Sequence, residues 1–183
     1  MTILFPSEVW YTVATTEWRN FIMARRKNYI NRTHIMIEIA ALVIWLASMI
    51  LAAVGAVTLE GEVPTHFSNK GVADAFGAPS SLLITPVVLM VVLGPMSLVC
   101  HHFTPSLWKM PFNIKPERLD LVYTDITYLI LILELIISII CLWMTVAGFR
   151  QGNVGIGFPI FTAVSIALDL IVWIAIAVRH NRM

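Results

Sequence analysis

Four long apolar runs, nearly free of charge, occupy residues 35–59, 81–103, 121–148 and 156–178. Each reaches the roughly 20 residues that a helix rising about 1.5 Å per residue needs to cross a bilayer's hydrocarbon. A lone strand cannot satisfy its backbone in lipid, and the runs lack the alternation of a barrel, so helices are the spanning option. The expected fold class is therefore all-α, an integral membrane four-helix bundle. Composition agrees: 58% of the chain is hydrophobic and 13% charged, against about 25% charged in a soluble domain. Pro86 and Pro95 are expected to kink the second helix.

Basic residues set the expected orientation. Arg19, Arg25, Arg26, Lys27 and Arg32 precede the first run, Lys109, Lys115 and Arg118 separate the second from the third, and Arg179 and Arg182 follow the fourth. By the positive-inside rule both termini are cytoplasmic, in a multi-pass protein of a bacterial cytoplasmic (inner) membrane. Residues 1–34 are expected to form an N-terminal interfacial amphipathic segment: Trp10, Ala14, Trp18 and Phe21 recur at helical spacing ahead of the basic cluster. A helix packed beneath the bundle is the alternative. Residues 179–183 read as a cytoplasmic tail. No leader peptide is recognisable, so the chain is expected to begin at Met1. Cys100 and Cys141 lie in apolar runs and are expected to stay unpaired. The near balance of charge, +1, gives no ground for a nucleic-acid partner.

Residues 60–80 connect the first two runs on the extracytoplasmic side. Pro64, Gly71, Asp74 and Gly77 supply turn chemistry, so an ordered loop is expected there. Pro64, His66, Phe67, Gly71, Asp74, Phe76 and Gly77 occur in the order of a motif with a Pro-x-His, an aromatic, a Gly, an Asp and an aromatic-Gly pair. In this the chain resembles a bacterial membrane family of unknown function whose loop motif is shared with SdpI-type toxin-immunity proteins. The likeness spans the loop and its flanking helices. It departs where the family has a basic residue after the aromatic-Gly pair and this chain has Ala78-Pro79-Ser80. The resemblance implies a small bacterial inner-membrane protein that shields the cell from a peptide toxin or senses one. For His66 two readings stand: a contact to a partner or metal, or a hydrogen bond with Asp74 that holds the loop together.

Acids within the runs carry the other signal, because a charge at a helix centre costs on the order of 2.5–3.5 kcal/mol on insertion scales and needs an interior partner. Glu134 and Asp169 are nearly equidistant from the turn at Gln151-Gly152 and are expected at similar depth. Two such carboxylates held together would share a proton and titrate as a pair. Simple hydrogen bonding that locks the bundle is the alternative. Glu38, His101, His102 and Asp125 are expected near one another at the cytoplasmic edge, as a zinc or other cation cluster or as an ion pair. Polar and small residues stripe each helix: His34, Glu38, Ala41, Trp45, Ser48, Ala52 and Gly55 in the first, and Thr127, Leu131, Glu134, Ser138, Cys141, Thr145 and Gly148 in the third.

Three functions follow. The first is a non-enzymatic protein that binds a peptide or a partner membrane protein through residues 66–77, without a cofactor. The second is a proton-coupled carrier or sensor that uses Glu134 and Asp169, in which four helices would call for a homo-oligomer. The third is a metal-dependent protein, which the absence of a His-Glu-x-x-His helix disfavours.

Overall fold

The computed structural model describes residues 29–102 and 112–183. Helices α1 (Arg32–Thr58), α2 (Ile84–His102), α3 (Leu119–Phe149) and α4 (Gly157–Arg182) form a bundle, with a β-hairpin of β1 (Val63–Phe67) and β2 (Ala73–Gly77) between α1 and α2. With the 3₁₀ turns that lead into α2 and α3, all four helices are long and apolar enough to span a membrane. The chain is thus a multi-pass membrane protein by length and composition. The expected interfacial helix, with Trp10, Ala14, Trp18 and Phe21, lies outside the described residues.

Helix α1 begins where local chemistry starts it. Asn31 Oδ1 accepts the His34 N–H and His34 Nδ1 accepts the Asn31 N–H, both at 3.1 Å, a reciprocal cap on the first turn. Pro86 lies in the first turn of α2, where a missing N–H costs nothing, so Pro95 is the proline inside the helix.

Helix α3 is the hub, packed against α1, α2 and α4. Its buried residues include Thr127, Leu131, Glu134, Ser138, Cys141, Thr145 and Gly148, the stripe expected from spacing. On α1 the buried set is His34, Ala41, Ser48, Ala52 and Gly55. Ser48, Thr127, Ser138 and Thr145 each donate to the carbonyl four residues back. These hydroxyls are satisfied inside their own helices, so the stripes serve close approach more than cross-helix bonding.

At the hairpin end, Leu82 wedges between α1 and α3. A Cβ added at Gly55 would stand 2.7 Å from its side chain, and one at Gly148 would stand 2.5 Å away. Leu82 is buried with Ala52 and Val63. The hairpin tip is clamped to the α3–α4 turn: the Gly155 N–H donates to the Gly71 carbonyl at 3.0 Å and the Ala73 N–H to Asn153 Oδ1 at 2.8 Å. Gln151 Nε2 donates to the carbonyls of Glu60 and Glu62. The expected ordered loop is thus a small sheet docked on the bundle, with the α3–α4 reversal at Gln151-Gly152 as its seat.

Candidate functional site

Two regions concentrate polar groups that the fold does not need for its backbone. The first is the hairpin. Val63 pairs with Gly77, Pro64 with Phe76, His66 with Ala75 and Phe67 with Ala73, with irregularities around His66. His66 Nδ1 lies 2.5 Å from Asp74 Oδ1, across the two strands. Both side chains are open, at 69% and 46% exposure. Asp74 and Phe76 are two apart on β2 and point to one face; Phe76 is exposed, as is Val72 at the turn. Gly71 sits at φ +73 with the Gly155 carbonyl oxygen 2.0 Å from where a Cβ would be. Of the motif residues, Pro64 is buried and anchors the sheet, while His66, Asp74 and Phe76 form its outward face.

The second region lies inside the bundle. A cavity of about 520 Å³ opens between α1, α2 and α3, lined among others by Glu38, Trp45, Gly94, Ser97, Glu134 and Ser138. Ser97 Oγ donates to Glu38 Oε1, and His101 Nε2 lies 2.7 Å from Glu38 Oε2. Both oxygens of Glu38 therefore have partners. Glu134 is 7% exposed, and its Oε2 is buried with no hydrogen bond among the described residues. Trp45 donates its indole N–H to the Pro86 carbonyl at 2.9 Å, which bridges α1 and α2 and fixes the ring beside the cavity.

Glu38 and His101 pair as expected, while the other acids group differently. Glu134 shares its cavity with Glu38 of α1, and no hydrogen bond joins it to Asp169. Both carboxylate oxygens of Asp169 are buried without a partner among the described residues. Asp125 pairs with His180 of α4 at 2.7 Å, and not with Glu38 or His101. His102 closes α2, and its side chain lies outside the described set. Among the described residues no group of three His, Cys, Asp or Glu stands together as a metal would require. Cys100 and Cys141 are buried and free.

Sequence reasoning missed several contributors. His180 lies 55 residues from Asp125. At the end of the bundle that carries Asn31, Tyr128 of α3 stacks on Trp173 of α4, with centroids 4.8 Å apart, and meets the His34 ring of α1 at 3.9 Å. Lys115 and Asn181 tie the α4 terminus to the segment before α3. An aromatic on one helix with an aromatic or histidine on another gives no periodic signal, so composition alone does not find these contacts.

Comparison with known proteins gives no match: no family model, curated protein or solved structure aligns with the chain.

Proposed function

We propose that this is a non-enzymatic bacterial inner-membrane protein of the SdpI-like immunity or signalling type, which receives a peptide or a partner membrane protein on its extracytoplasmic hairpin. The observation that carries the reading is the hairpin itself. It is clamped to the α3–α4 turn by backbone and side-chain bonds, yet it turns His66, Asp74 and Phe76 outward. A preformed face with one aromatic and one hydrogen-bonded His-Asp pair binds without first ordering itself, which lowers the entropic cost of association. The positive-inside rule puts this face outside the cell and both termini inside.

The test is protection. A bacterium lacking the chain is made to express it and is challenged with the peptide fraction of spent medium from the source bacterium. Survival above the empty-vector control is expected, lost on His66→Ala combined with Asp74→Ala and on Phe76→Ala, and kept on Glu134→Gln. Equal survival with and without the chain would remove the immunity reading.

The buried, unpartnered carboxylate oxygens of Glu134 and Asp169 favour a second reading, a proton-coupled carrier or sensor. In the same assay it is the reading selected if Glu134→Gln abolishes protection while the hairpin variants retain it.

A further inference from the structure

The cavity between α1, α2 and α3 is not used by the hairpin reading, and its chemistry is unbalanced. Glu38 has a donor on each oxygen, from Ser97 and His101. Glu134, across the same cavity, has a buried oxygen with no donor among the described residues. Ser138, the nearest hydroxyl along α3, spends its proton on the Glu134 carbonyl at 2.9 Å and not on the carboxylate. A buried acceptor left without a donor is costly in an apolar setting. The cavity therefore lacks one hydrogen-bond donor and has two carboxylates against one histidine.

Its walls are otherwise apolar. Ile39, Leu42, Met90 and Leu98 line it and are each more than half exposed on the bundle's outer surface, so its mouth faces the lipid between α1 and α2. Trp45, held in place by Pro86, adds an indole, the ring best suited to a cation. A volume of about 520 Å³ falls within the roughly 300–1,000 Å³ of small-molecule pockets. At Gly94 a side chain would meet nothing within 4 Å, so the cavity is open against the α2 backbone.

The geometry points to a binding site for a lipophilic nitrogen cation, a protonated amine or amidine: a single positive charge bearing at least one N–H, which meets Glu134, on an apolar body that enters from the bilayer between α1 and α2. A turn of the Glu134 side chain brings its buried oxygen to the N–H, which supplies the missing donor, and the charge offsets the second carboxylate. The body lies against Leu42, Trp45 and Leu98. A neutral lipid chain would fill the volume but leave Glu134 as it is, and an anion would meet two carboxylates.

The full-length protein in lipid nanodiscs is titrated with protonated 9-aminoacridine, read by fluorescence anisotropy against empty nanodiscs, with neutral anthracene as the apolar control. Saturable binding of one 9-aminoacridine per chain is expected. Glu134→Gln should weaken it at least tenfold, and Gly94→Leu, which fills the cavity from the α2 side, should do the same. Gly94→Ala should leave it unchanged. Helicity and thermal midpoint of each variant show whether it is folded; should Glu134→Gln fail to fold, Gly94→Leu carries the test. Binding no greater than to empty nanodiscs overturns the proposal, as does binding that Glu134→Gln and Gly94→Leu both leave intact. Anthracene binding as tightly as the cation, insensitive to Glu134→Gln, would make the cavity a neutral lipid pocket and overturn it equally. None of these outcomes depends on the hairpin, so the protection assay and this titration fail independently.

Discussion

Gly71 shows how one residue couples the hairpin to the bundle. Its φ of +73 is a conformation that costs other L-residues about 1–2 kcal/mol. The obstacle to a Cβ is also backbone, the Gly155 carbonyl at 2.0 Å, which cannot rotate away as a side chain would. Gly71→Ala should therefore break the Gly71–Gly155 bond and free the tip. The expected result is tryptic cleavage after Lys70 that the wild type resists in the same detergent, while Gly152→Ala, whose nearest contact is an ordinary 3.8 Å, leaves the pattern unchanged. Equal resistance of Gly71→Ala would show that the clamp does not depend on this approach. The His66–Asp74 pairing was legible in the sequence because the two residues are eight apart in one short loop. The pairing of Asp125 with His180 was not, since depth in the bilayer made His101 or His102 as good a partner for that carboxylate.

At the scale of elements, periodicity carried most of the information. The stripe on α3 was readable because 3.6 residues per turn brings positions three and four apart onto one face, and that face is the one the hub helix buries. What periodicity does not reveal is the object each face meets. Leu82 belongs to a short 3₁₀ turn with no repeat of its own, yet it fits between α1 and α3 where Gly55 and Gly148 leave room. Leu82→Ala should cost about 2 kcal/mol, near the low end of the ~2–5 kcal/mol range for such truncations, because in a membrane protein packing supplies the loss and transfer from water adds little. A lowered thermal midpoint with unchanged helicity is the expected signature; an unchanged midpoint would mean that the helices close over the gap. The hairpin was anticipated as order without a named structure. Its strands are five residues each, the first interrupted by a proline, too short to announce themselves by alternation.

For the whole molecule, the hairpin must lie on the opposite side of the bilayer from the start of α1 and the end of α4 if all four helices span it. Asn69→Cys and Met183→Cys place exposed thiols at the two ends, while the native Cys100 and Cys141 are buried. A membrane-impermeant maleimide on intact cells should label Asn69→Cys and reach Met183→Cys only after lysis. The reverse pattern would put the hairpin inside the cell and end its role as an external receiving face.

The sequence by itself determined the solvent, the number of spans and the buried stripe of the principal helices, because length against bilayer thickness and helical period are local properties of the chain. Tertiary structure alone decided what Asp125 and Glu134 meet inside the bundle. Packing α3 against α1 and α2 brought Glu134 to Glu38's cavity, packing α4 on α3 gave Asp125 to His180, and seating the hairpin on the α3–α4 turn made an outward face of His66, Asp74 and Phe76. These choices depend on the rotation of each helix about its axis and on which helices are neighbours. Both are set by the contacts of the whole bundle and by no single run of residues.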